Sequence, residues 1–147
     1  MNFRTNKMQI IFQDPSASLD PRMTVGEIIG EALDIHGLYK GKNNRKARIG
    51  ELLQRVGLNE EQANRYPHEF SGGQQQRIGV IRALAADQDI ILMDEPFGAL
   101  DAQTRVQLQT ELLKTWEEEQ KTCFFITHDV EEAIVLAQRV IIMSARP

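Results

Sequence analysis

The chain has 147 residues, 26% of them charged, a formal net charge of −4 and an isoelectric point near 5.4. This is an ordinary globular composition at the length of one domain, and the acidic balance argues against a nucleic-acid binder recruited by its overall field. Apolar runs such as Ile90–Met93 and Cys123–Ile126 extend four residues, whereas a spanning helix needs about 20. No secretory signal pattern follows Met1, and Cys123 is the only cysteine, so an intramolecular disulfide is excluded and a reducing cytoplasm is expected.

In chain order, Met8–Phe12 reads as a short buried strand, followed by more than 70 residues of helical pattern before the next strand. Thr24–Ile35 places Val25, Ile28, Ile29, Ala32, Leu33 and Ile35 at helical spacing, and Asn43–Val56 does the same with Ile49, Leu52, Leu53 and Val56. Lys40, Lys42, Arg45, Lys46 and Arg48 form a basic stretch without an acid, which is read as a solvated helix face rather than a nucleic-acid or lipid patch. A third helix runs from Gln74 to Ala86. Ile90–Met93, Cys123–Thr127 and Val140–Met143 are the remaining strands, linked by helices over Gln103–Gln120 and Val130–Gln138. Short, continuously apolar strands alternating with helices predict an α/β fold whose parallel strands are covered on both faces.

Three strands end on chemistry: Phe12 is followed by Gln13, Met93 by Asp94 and Glu95, and Thr127 by His128 and Asp129. Carboxyl ends of parallel strands open onto one crevice, so Gln13, Asp94, Glu95 and His128 are candidates for holding a metal ion and an activated water. Polar residues also simply terminate strands, and both readings stand at this level. Ser71-Gly72-Gly73-Gln74 spells a capping box at a helix start. Its hydroxyl, free N–H groups and unobstructed glycines suit an anion, but a capped helix needs no ligand.

Five segments in order resemble the motifs of ATP-binding-cassette (ABC) ATPases. Ile11-Phe12-Gln13-Asp14-Pro15 resembles the Q-loop, Ser71-Gly72-Gly73-Gln74-Gln75 the signature motif, and Ile90–Pro96 the Walker B motif. Gly98-Ala99-Leu100-Asp101 resembles the D-loop and Ile126-Thr127-His128-Asp129 the switch histidine. The resemblance implies a P-loop-NTPase-like parallel core sheet with an inserted helical subdomain: residues 1–20 and 87–147 as partial ATPase core, and 21–86 as helical subdomain ending in the signature helix. It also implies ATP and Mg²⁺ as ligands. Asp94 and Gln13 would hold the metal, Glu95 would be the general base, Gln13 would also touch the attacking water, and His128 would contact the γ-phosphate. Ser71, Gly72, Gly73 and Gln74 would close over nucleotide bound to a second ATPase subunit in a head-to-tail dimer, with Asp101 coupling the two sites.

No G-x-x-x-x-G-K-[ST] loop occurs in the chain; the single Gly-Lys pair, Gly41-Lys42, is followed by Asn43. The resemblance therefore implies a partial nucleotide-binding domain lacking the Walker A strand, cut short at both ends and inactive alone. Gln13–Met23 and the helices after it resemble the importer surface that receives a membrane-spanning permease subunit, which implies a cytoplasmic protein peripheral on the inner face of the membrane, with no nucleic-acid partner. Ile11–Thr24 resembles oligopeptide and dipeptide importer ATPases, whereas Asp94–Asp101 through Pro147 resembles nitrate, sulfonate, taurine or glycine-betaine importer subunits. The change of style falls within Ser71–Asp89, as in a chimera. The rival readings are an ABC ATPase of DNA repair or translation, disfavoured by the lack of a coiled-coil insertion or tandem cassette, and an interaction fragment that binds no nucleotide productively.

Overall fold

The computed structural model describes residues 8–11, 18–35, 41–86, 88–98, 100–119 and 121–144. Strands β1 (Met8–Ile11), β2 (Ile90–Asp94) and β3 (Thr122–Ile126) form a parallel sheet in the order β1-β2-β3. Ile10, Leu92 and Phe124 lie in one row across it, and Ile11, Met93 and Phe125 in the next. The two rows face opposite sides because strand side chains alternate. Ile11, Ile91 and Met93 are buried in the core.

Helices α1 (Val25–Ile35), α2 (Lys42–Arg55) and α3 (Gly72–Ala85) occupy the connection between β1 and β2, with short 3₁₀ turns at Glu60–Asn64 and Pro67–Glu69. α1 begins where Thr24 and Glu27 cap reciprocally: the Thr24 amide donates to Glu27 Oε2 at 2.7 Å and the Glu27 amide to Thr24 Oγ1 at 3.3 Å. Ile29 and Leu33 of α1, Leu52 and Leu53 of α2, and Ile78 and Ile81 of α3 are fully buried in one cluster. The periodicity overreaches at Ile35, which ends α1 two-thirds exposed. Within the basic stretch, Arg45 pairs with Asp34 at 3.1 Å and Arg48 with Glu51 at 2.7 Å, so the charge run is partly neutralised by its own surroundings.

Helix α4 (Ala102–Glu119) buries Leu108 and Leu112, with Leu113 and Trp116 packed beside them, and α5 (Val130–Leu136) follows β3. Two expectations fail here. Val140–Met143 is not a strand: after Leu136 the chain runs without regular structure, and these four residues are 50 to 91% exposed. A strand needs an edge to pair with, and the β3 edge takes no partner among the described residues. The sheet is also not covered on both faces, since Ile10, Phe124 and Ile126 are 40, 61 and 66% exposed. The described helices cover one side only.

Candidate functional site

β2 ends at Asp94, and the next residue, Glu95, takes a left-handed backbone with φ of 45°. That conformation costs a non-glycine residue roughly 1–2 kcal/mol. Three hydrogen bonds hold it: the Glu95 amide donates to the Ile126 carbonyl at 2.9 Å, and the Glu95 carbonyl accepts from the Gly98 amide at 3.2 Å and from buried Gln76 Nε2 at 3.4 Å. Backbone strain overdetermined in this way is characteristic of sites where a side chain must be aimed. Here the Glu95 carboxylate meets His128, with Oε1 2.9 Å from Nδ1. The hydrogen bond to Glu95, then its charge, raises the imidazole pKa above the usual value, with smaller contributions from Asp129 and Glu132.

His128 stands in the turn between β3 and α5, and its neighbours are fixed on both sides. Asp129 caps α5, Oδ1 accepting from the amides of Glu131 at 2.9 Å and Glu132 at 3.2 Å. Thr127 donates its hydroxyl to Glu132 Oε2 at 2.6 Å and accepts from the Asp129 amide at 3.0 Å. Arg105, on the first turns of α4, reaches Asp129 Oδ2 at 3.2 Å and the Leu100 carbonyl at 3.3 Å. Glu95, Gly98, Arg105, Thr127, His128, Asp129 and Glu132 line one small cleft of about 60 Å³.

The signature-like segment forms the capping box its spelling predicts, with the Ser71 amide 3.0 Å from Gln74 Oε1 and the Gln74 amide 3.3 Å from Ser71 Oγ. A Cβ at Gly72 would meet open space, whereas one at Gly73 would press on Leu100 at 3.0 Å. Gly73 therefore lets the start of α3 approach the turn that carries Leu100 and Asp101. Asp101 is exposed and Oδ1 accepts from the Thr104 amide at 2.9 Å; hydrogen bonds from Thr104 lower its carboxyl pKa.

Of the strand-end candidates, Glu95 and His128 come together. Asp94 is exposed at the end of β2 and is not part of the cleft lining, and Gln13 lies outside the described residues. Among the described residues no three His, Cys, Asp or Glu side chains could hold a metal by themselves. Ser71, Gly72, Gly73, Gln74 and Asp101 lie outside the cleft lining. Sequence reasoning missed Arg105, Thr127 and Glu132. The available signal was Asp129-x-x-Glu132, a capping-box spelling in which Glu132 should return to the Asp129 amide; that amide is taken by Thr127, which releases Glu132 inward.

The family model described as ABC transporter matches residues 1–98. The chain is 53% identical over 137 residues to the oligopeptide transport ATP-binding protein OppF of Bacillus subtilis, covering 93% of this chain and 45% of that protein. It is 46% identical over 138 residues to the dipeptide transport ATP-binding protein DppF of Lactococcus lactis subsp. cremoris, covering 94% of this chain and 44% of the relative. The chain thus spans less than half the length of these curated relatives. A solved dimer of the ATP-binding cassette MJ0796, in a post-hydrolysis state bound to ADP and Pi, superposes with a TM-score of 0.78 at 35% identity, over 90% of this chain and 56% of that one. Sequence kinship along nearly the whole chain and a shared cassette fold agree, and the chain belongs to the ABC transporter family.

Proposed function

We propose that this chain is part of the ATP-binding and ATP-hydrolysing subunit of an ABC importer for oligopeptides or dipeptides. The observation that carries the reading is the Glu95 carboxylate, held by a left-handed turn 2.9 Å from His128 at the carboxyl end of the sheet. Identity to peptide-transport ATP-binding relatives supports the importer class. The likeness of Asp94–Asp101 and the C-terminal end to nitrate, sulfonate, taurine or glycine-betaine subunits is a motif resemblance, whereas the identity to the oligopeptide-transport relative extends over 93% of the chain.

In this reading Glu95 takes the proton of the attacking water. His128 engages Glu95 through Nδ1, which raises its pKa, and contacts a γ-phosphate oxygen with its other edge. Asp94, with Gln13, would hold Mg²⁺, which needs only one or two carboxylates, as an exposed strand-end aspartate can supply. When bound, the ion would neutralise phosphate charge. Ser71, Gly72, Gly73 and Gln74 present a hydroxyl and helix N–H groups to nucleotide on a second ATPase subunit, with Asp101 at the junction. Residues 1–20 and 87–147 form the ATPase part and 21–86 the helical part that meets a membrane-spanning permease subunit. The protein works on the cytoplasmic face of the membrane; no helix among the described residues is long and apolar enough to cross it.

Without a Walker A loop the phosphates lack their main cradle, so the chain alone is expected to dock on an intact cassette rather than turn over ATP. Fusing it behind the N-terminal part of a full-length relative tests the assignment. Phosphate release should appear in the fusion, and Glu95→Gln should cut it by roughly 10²-fold or more while ATP binding persists. Loss of ATP binding in that variant, at unchanged fold, would move Glu95 from catalysis to structure.

A further inference from the structure

The His128 side chain is 78% exposed, and its hydrogen-bond partner is the Glu95 carboxylate. An imidazole in that position does not orient itself; the backbone on either side must place it. Thr127 and Asp129 do so, and both are tied to groups whose remaining partner is Arg105. Asp129 divides its carboxylate, Oδ1 capping α5 and Oδ2 meeting the Arg105 guanidinium. Glu132 gives Oε2 to the Thr127 hydroxyl and sets Oε1 3.7 Å from Arg105 Nε. The Glu132 side chain is only 6% exposed, and a buried carboxylate requires a compensating cation nearby. The third arm of the guanidinium donates to the Leu100 carbonyl, in the turn that leads to Asp101.

We infer that Arg105 is a positioning residue: its guanidinium braces the Thr127–Asp129 turn against the turn carrying Leu100 and Asp101, and so fixes His128 on Glu95. This rests on the roles proposed above for Glu95 and His128, although the bracing itself requires no nucleotide. The planar fork matters as much as the charge, because two acceptors at 3.2 and 3.3 Å are hydrogen-bonded from different nitrogens while Glu132 Oε1 stands 3.7 Å from Nε as an ion pair without a hydrogen bond. A lysine ammonium is a point charge on a flexible stem and does not reproduce this.

The test is NMR titration of the His128 ring in the full chain without nucleotide, assigned by its loss in His128→Gln. Removing a cation from an otherwise unchanged site raises the ring pKa, since the negative charge around it is less compensated. Releasing the turn does the opposite, parting the ring from Glu95 and letting its pKa fall toward the ordinary value. Arg105→Gln should give the fall. Arg105→Lys, which keeps the charge and loses the fork, should give it too. Thr127→Val changes no charge and should move the ring in the same direction, which covers the case in which an Arg105 variant does not fold. An unchanged or raised pKa in Arg105→Gln or Thr127→Val, or a wild-type value in Arg105→Lys, overturns the inference. A fusion without hydrolysis would instead count against the functional assignment and leave this titration intact.

Discussion

Nδ1 of His128 lies 2.9 Å from Oε1 of Glu95, across a gap between the carboxyl ends of β3 and β2 that the Glu95 amide already bridges through the Ile126 carbonyl. Because the pair raises the histidine pKa, it makes stability depend on pH with a definite sign. The unfolded ring titrates near about 6.5, and the folded ring above it. The contribution is fully present below the unfolded value and is lost as pH rises through the folded one. Melting temperatures of the parent and of Glu95→Gln should therefore diverge most near about pH 6, below the unfolded histidine value, and converge at alkaline pH. A gap that widens with rising pH would be inconsistent with the pair.

The left-handed backbone at Glu95 predicts an inverted ranking of small substitutions. Alanine ordinarily outperforms glycine because glycine loses more chain entropy on folding. At a φ of 45° the Cβ penalty dominates, and Glu95→Gly should be more stable than Glu95→Ala by about 1 kcal/mol. Urea denaturation of the two variants decides it. Alanine on top would mean the turn relaxes once the carboxylate is gone.

Ser71 caps a helix whose first two residues are both glycine. Glycines gain little from the helical state, so the start of α3 leans on its cap. Ser71→Ala should cost about 1 kcal/mol and Ser71→Gly only a few tenths, with Ser71→Asn close to the parent. The same denaturation series provides the measurement. Equal loss in all three would place the role of the hydroxyl outside the capping box.

The open face of the sheet predicts association. Phe124 and Ile126 are 61 and 66% exposed, and Val140–Met143 add further apolar surface after α5. Exposed apolar area beside a strand edge with no partner among the described residues draws chains together. Sedimentation of the isolated chain should show concentration-dependent association, weakened in Phe124→Lys combined with Ile142→Lys at unchanged helix content. A parent that remains monomeric at high concentration would refute this.

Much of the fold was legible because it is encoded locally. Thr24-x-x-Glu27 and Ser71-x-x-Gln74 state helix starts within four residues, and Ile90–Met93 announces a strand by continuous apolarity. The neighbourhood of Glu95 and His128 was equally readable, since both follow those apolar runs and the fold sets them 2.9 Å apart. What the sequence did not carry is whatever depends on a distant partner. Val140–Met143 has the composition of a strand, but pairing is a property of two edges, and no second edge meets it among the described residues. The strained turn at Glu95 exists only because the Ile126 carbonyl and the Gln76 amide arrive from other elements. Arg105 and Asp129, 24 positions apart, read as a helix-surface cation and a helix cap until the packing of α4 beside the β3–α5 turn sets them 3.2 Å apart. Local sequence fixes what a segment prefers, and the tertiary fold decides which distant charges and edges it meets.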